Sequence, residues 1–220
     1  MKYTGRFTLT LICLFTLAAY FSSDFQAVGM FIYLIDITYL LVAWFLGKQY
    51  DRAKYYSEHD GLTGVYNRRY LTEMVMKLLN TMKKQDREVS MIVVDVNDFK
   101  LINDEYGHLF GDHVLKNVAT ILSCNLPKGS LVSRWGGDEF LIVIPDVNEE
   151  ETAASVLQIH EELERLTNLF RINITASIGV SVYPRDASTL DDLIHMADLH
   201  MYDSKREYKT VCLQSIETPM

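Results

Sequence analysis

The sequence predicts an α+β fold, a mainly antiparallel central sheet flanked by helices, preceded by a two-helix transmembrane hairpin. Three observations carry this. Apolar segments with helical or strand spacing follow one another as helix, strand, helix, hairpin, helix, strand, helix. Two adjacent glycines, Gly136 and Gly137, separate the strand-like runs Leu131-Val132 and Leu141-Ile142-Val143-Ile144. Residues 7–47 are apolar apart from Ser22-Ser23-Asp24 and Asp36.

An apolar run of about 40 residues with one polar break fits two spans of roughly 20 each. The spans fall at about 7–22 and 27–46, within a hairpin over 1–47. A secretory signal peptide is the other reading of the first run, but no small-residue cleavage site precedes the second. Lys2 and Arg6 lie before the hairpin, and Lys48, Arg52 and Lys54 after it, so both ends are expected in the cytoplasm. This points to a multi-pass membrane protein that meets lipid through residues 7–46. Asp36 falls mid-span, either as a polar contact between helices or as a protonated carboxyl that an apolar segment tolerates. Residues 48–59 form a charged connector without Gly or Pro, into which the second helix can continue.

The chain has 220 residues and a formal net charge of −8. Asp24 and Asp36 balance Lys2 and Arg6 before the connector, so the remainder carries the whole −8. A nucleic-acid-binding surface is therefore not expected. Cys13, Cys124 and Cys212 lack metal-ligand spacing and read as reduced and structural. His195 and His200 are off the spacing that places two ligands on one helical face.

The globular part begins at the turn-rich Asp60-Gly61-Leu62-Thr63-Gly64. Leu71, Met74, Val75, Leu78, Leu79 and Met82 then recur at helical spacing. Met91-Ile92-Val93-Val94 is a short continuous apolar run, the mark of a central strand, and delivers Asp95 at its end. The cluster Asn97-Asp98-Phe99-Lys100, Asn103-Asp104, Gly107-His108, Gly111-Asp112 is too rich in acids, amides and glycines to serve packing alone. A helix follows, with Val114, Leu115, Val118, Ile121 and Leu122 on one face. The paired glycines read as a two-residue hairpin turn at positive φ. With Asp138 and Glu139 directly after, the bare backbone could seat a phosphorylated ligand while carboxylates hold a divalent cation; the other reading is a surface hairpin with an acidic tip. Next come a helix near Glu150–Leu169 and an alternating strand over Arg171–Val182 with one buried side. A last helix starts near Leu190.

These motifs together resemble the GGDEF family of diguanylate cyclases. Gly136–Phe140 matches the family signature letter for letter, preceded by Arg134-Trp135. Asp60–Gly64 with Asn67-Arg68-Arg69 resembles the opening motif, and Asp95 through Asp112 the central one. Ala176–Val180 and Ala197-Asp198 through Tyr202 and Lys205 resemble the last strand and helix. The resemblance covers 60–210 as the catalytic domain and leaves 211–220 as a tail. It implies a palm/nucleotidyl-cyclase-like fold and the condensation of two GTP to cyclic di-GMP with release of two pyrophosphates. It also implies a homodimer with one GTP per subunit.

By the resemblance, Mg²⁺, with Mn²⁺ as the alternative, would be held by Asp95, Asp138 and the backbone carbonyl of Val96. Asp138 and Glu139 would be catalytic, Glu139 either assisting the metal or deprotonating the 3′-hydroxyl. Asn103 and Asp112 match the guanine-reading positions. Phe99 and Lys100, Gly136, Gly137, Lys205 and Lys209 would meet the phosphates. Asp104, His108 and Arg134 are expected to be structural. Three departures from the pattern stand out. Pro127 and Ser130 replace the Arg and Asp of the product-inhibition site, so none is expected. Tyr208-Lys209 stands where Gly-Arg is common, keeping a charge but losing the bidentate fork. Asn97 replaces the more usual Asp. The rival reading is a non-catalytic module of the same family acting as a membrane-tethered nucleotide receptor or interaction domain.

Overall fold

The computed structural model describes the backbone of residues 30–217, the side chains of 37–206 and 208, and residues 10, 11, 14 and 18. The chain divides into two compact units, Met1–Glu58 and His59–Met220. In the first, α1 (Met30–Glu58) is one continuous helix through the expected connector. Among the described residues no helix is long and apolar enough to cross a membrane. The transmembrane hairpin is thus not supported by the fold. From Ile37 onward the helix soon meets Lys48, Asp51, Arg52 and Lys54, and an 18-residue window there is too charged. The first expected span lies outside the described residues apart from 10, 11, 14 and 18, and the second is described only from Met30.

The second unit runs β1 (Tyr66–Asn67), α2 (Arg68–Gln85), β2 (Val89–Val96), α3 (Phe99–Tyr106), α4 (His108–Cys124), β3 (Leu131–Arg134), β4 (Glu139–Pro145), α5 (Glu149–Phe170), β5 (Ala176–Tyr183) and α6 (Leu190–Glu217). One sheet has the order β1-β3-β4-β2-β5. Only the β1–β3 pair is parallel, so the sheet is mixed. Local chemistry fixes the helix starts. Asn67 caps α2 by accepting from the Tyr70 N–H at 2.9 Å. Asn148 and Glu151 form a capping box on α5, whose first turn carries three glutamates.

The pleat sorts β2 into two faces. Ile92, Val94 and Val96 pack with Val114, Leu115, Val118 and Leu122 of α4 and with Ile159 and Leu163 of α5. Met91 and Val93 pack with Leu71, Val75 and Leu79 of α2 and with Leu193 and Ala197 of α6. All eight residues of β2 are buried, as expected for a strand covered on both faces. The next position on the α2/α6 face after Met91 and Val93 is Asp95. Parity along one strand thus delivers that carboxylate to the side where α6 lies.

Two local expectations change. The strand begins at Ala176 rather than Arg171, and both its sides are buried, not one. The reason is α6: Ser181 Oγ donates to the Leu193 carbonyl at 2.7 Å. A Cβ on Gly179 would lie 2.0 Å from the Ala197 carbonyl oxygen and 2.3 Å from the Met201 nitrogen. The hairpin is not a two-residue turn with glycines at positive φ. Arg134 pairs with Phe140, four residues intervene over 135–138 before β4, and neither Gly136 nor Gly137 has positive φ. Trp135 and Gly136 N–H groups both donate to the Glu139 carbonyl, at 2.8 and 3.2 Å. A Cβ on Gly136 would fall 2.5 Å from Glu139 Oε2, the mobile end of that side chain, which would have to shift. Cys124 is a free thiol but exposed, not a core residue.

Gly179→Ala tests how closely α6 seats on the sheet. Because backbone, not a flexible side chain, meets the new methyl, destabilisation at the upper end of about 1–3 kcal/mol is expected. A lowered urea midpoint at unchanged slope checks this; an unchanged midpoint contradicts it.

Candidate active site

Asp95 is the penultimate residue of β2, at only 6 % exposure. It stands in register opposite Glu139 of β4 and Ser177 of β5. From α6, Lys205 Nζ donates to Asp95 Oδ1 at 2.5 Å, pairing residues 110 positions apart. The Val96 N–H donates to the Asp138 carbonyl at 3.1 Å, which ties the last residue of the signature turn to the end of β2. Asp95, Asp138 and Glu139 are thus brought together as the sequence predicts.

Their charges act on one another. Burial pushes the Asp138 carboxyl above the ordinary aspartate range, and the Asp95 charge pushes it further, against the opposing pull of Lys205 and Arg134. Glu139 is raised by burial and then by Asp95, Asp138 and Asp198. Asp198, exposed on α6, is a member of this cluster to which the sequence reading gave no role. Its spacing was a usable signal: Asp198 and Lys205 are two helical turns apart and share a face.

The donor chemistry fits a hard divalent cation. Two carboxylates, a third beside them and the backbone carbonyl of Val96 are all oxygen donors, and their mutual repulsion is what a cation relieves. Among the described residues, no three His, Cys, Asp or Glu side chains are already gathered as a chelating cluster. Asp95 also pairs with Lys205.

Arg134 braces the turn, in keeping with its expected structural role. Its Nε and Nη2 donate to the Gly137 carbonyl at 3.1 and 2.6 Å. Its Nη1 pairs with Asp60 Oδ1 at 3.3 Å. The same oxygen accepts from the Thr63 N–H at 2.9 Å and hydroxyl at 2.7 Å. Burial alone would raise the Asp60 carboxyl; Thr63 and Arg134 together hold it below its ordinary value. The opening motif is therefore part of the scaffold under the signature turn.

The remaining predicted residues are distributed around this centre. Phe99 is half-buried, with its side chain packed against the core. Lys100, Asp104 and His108 are exposed on α3 and at the start of α4. Asn103 reaches over α4: a Cβ on Gly111 would meet its Oδ1 at 2.0 Å, so the glycine is what lets Asn103 close against the residue before Asp112. Asp112 is half-buried in the first turns of α4. The side chain of Lys209 lies outside the described residues, whereas the Tyr208 hydroxyl accepts from Asn173 Nδ2 at 3.0 Å. A cavity of about 480 Å³ lies elsewhere, lined among others by His59, Tyr66, Cys124, Pro127, Lys128 and Ser130. It includes none of the carboxylates, and the chemistry, not the cavity, marks the site.

Comparison with known proteins agrees with this geometry. Residues 57–210 match the family described as "Diguanylate cyclase, GGDEF domain". The chain is 30% identical over 163 residues to the probable diguanylate cyclase DgcC of Escherichia coli, covering 73% of this chain and 44% of that protein. It is 31% identical over 158 residues to the diguanylate cyclase TpbB of Pseudomonas aeruginosa, covering 69% of this chain and 36% of that one. It thus spans less than half the length of these relatives. A solved GGDEF domain of TpbB superposes with a TM-score of 0.64 at 31% identity, over 68% of this chain and 89% of that one. The GGDEF domain of DgcB from Caulobacter crescentus, solved with c-di-GMP, gives 0.60 at 26% identity, over 68% and 91%.

The raised carboxyls have a consequence for stability. Asp138 and Glu139 hold their protons more tightly folded than unfolded, so their contribution is full below the unfolded pKa and is lost as pH rises through the raised values. Metal-free Asp138→Asn is therefore expected to exceed wild type in stability at neutral pH, with the gap closing in acid. Urea midpoints across pH check this; a gap independent of pH contradicts it.

Proposed function

Because the chain belongs to the GGDEF family of diguanylate cyclases, we propose that it condenses two GTP to cyclic di-GMP, releasing two pyrophosphates. The active form is a homodimer with one GTP on each subunit, so that each 3′-hydroxyl faces the α-phosphate of the other nucleotide. The observation that carries the reading is the meeting of Asp95, Asp138 and Glu139 at the ends of two paired strands, beside Lys205.

Each residue has a task in this reading. Asp95, Asp138 and the Val96 carbonyl would hold Mg²⁺, which would supply positive charge to offset the negative charge that develops on the phosphates in the displacement. Glu139, opposite Asp95 and next to Asp138, is placed either to assist the metal or to take the proton of the 3′-hydroxyl. Gly136 and Gly137 leave the backbone bare, and no heavy atom lies within 4 Å of where a Cβ on Gly137 would stand, so phosphates can approach there. The first N–H groups of α3 have no intrahelical acceptor and, with Lys100, receive the β- and γ-phosphates. Lys205 and Lys209 add positive charge from α6. Asp112 and Asn103 read guanine; a carboxylate accepts from its N1–H and N2–H₂ and meets adenine poorly.

Anchoring of residues 7–46 in a bacterial inner membrane, with the catalytic part in the cytoplasm, is proposed from the sequence. Its support is the apolar run with Lys and Arg on both flanks. Tethering would raise the effective concentration of protomers and so favour the dimer.

The full chain incubated with GTP and Mg²⁺ is expected to form cyclic di-GMP, and Asp138→Ala to form none. GTP binding without turnover in the wild type would contradict the cyclase and favour a receptor. Removal of residues 1–47 is expected to lower specific activity at low protein concentration but not at high. Equal activity at both would contradict the tethering.

A further inference from the structure

Asn97 follows the carboxylate end of β2 and is only 3 % exposed. Its backbone N–H donates to the Thr175 carbonyl at 2.9 Å, one rung beyond the Val96–Ala176 pair that ends the β2–β5 ladder. Its side chain is held at both ends: Nδ2 donates to Thr175 Oγ1 at 3.1 Å, and Oδ1 accepts from Ser177 Oγ at 2.7 Å. Ser177 is the residue directly opposite Asp95. Immediately after Asn97 the chain turns left-handed at Asp98, with φ 52°, and α3 begins. A non-glycine residue keeps that conformation when its surroundings over-determine it. Asn97 holds Asp98 from one side, and the Ile102 N–H, donating to the Asp98 carbonyl at 3.1 Å, holds it from the other.

We propose that Asn97, with Thr175 and Ser177, is a positioning clamp for the phosphate end of the substrate site. It fixes the Asp95 carboxylate and the first N–H groups of α3 in one frame referred to β5. The proposal rests on the reading of this site as one for GTP. It also gives a physical account of the departure from the family pattern at this position. An amide donates to the Thr175 hydroxyl; a carboxylate of the same shape would accept from it, because a hydroxyl can reverse its role. Either residue closes the clamp, and an alanine leaves two hydroxyls without their partner.

The test uses the full chain with Asn97→Ala, Asn97→Asp, Thr175→Val and the Asn97→Ala/Thr175→Val pair. GTP affinity with Mg²⁺ is measured by calorimetry, beside turnover and the urea midpoint. Asn97→Ala is expected to weaken GTP about tenfold, with kcat changed less than KM. The Asn97→Ala/Thr175→Val double variant is expected to lose less than the product of its single losses, since both remove one bond. Asn97→Asp is expected to stay within about threefold of wild type, as the hydroxyl reverses. Wild-type affinity in Asn97→Ala or in Thr175→Val overturns the clamp, whatever happens to the midpoint. If GTP binds without turnover, only the cyclase reading fails and the ranking of affinities still decides the clamp. If wild type binds no GTP, both fail together.

Discussion

Two carboxylates, Asp95 and Glu139, face each other across hydrogen-bonded strands, with Asp138 adjoining. Like charges so placed repel, and the surrounding structure can be read as the means of holding them there. Lys205 neutralises Asp95 from α6. Arg134 fastens the turn that carries Asp138 by gripping the Gly137 carbonyl, and Asp60 in turn fastens Arg134. Asn97 ties the strand end to β5. Close seating of α6, permitted by Gly179, is what brings Lys205 within reach.

The arrangement costs stability. Raised carboxyls at Asp138 and Glu139 mean that the folded chain is working against its own charge at neutral pH. In the proposed reading this is the arrangement that a cation, and the phosphates it accompanies, would relieve. The ammonium of Lys205 balances part of this charge through Asp95, as a single charge on a flexible stem.

The sequence disclosed the parts of the fold whose signals are local. Helical spacing marked α2, α4, α5 and α6, and the unbroken apolar run over Met91–Val94 marked the central strand, because an apolar stripe reports burial wherever the partner lies. Two-residue β1 and eight-residue α3 are too short for a period to emerge, so α3 was read only as a cluster of polar residues. The site was legible as residue types in family order. Its wiring was not, because Lys205 and Asp95, Arg134 and Asp60, or Asn97 and Ser177 are each joined by tertiary packing across long separations. The glycines show the same limit: Gly136 and Gly137 were expected at positive φ, and neither adopts it.

The central claim is that Asp95, Asp138 and Glu139 are held together as oxygen donors suited to a divalent cation, with Lys205 balancing part of their charge. Unfolding of wild type and Lys205→Met, measured side by side at rising Mg²⁺, tests it most directly. The account predicts that the variant is less stable without Mg²⁺, since it leaves the buried Asp95 charge unpaired, and that the deficit shrinks as Mg²⁺ is added. A deficit that stays constant across the titration would contradict it.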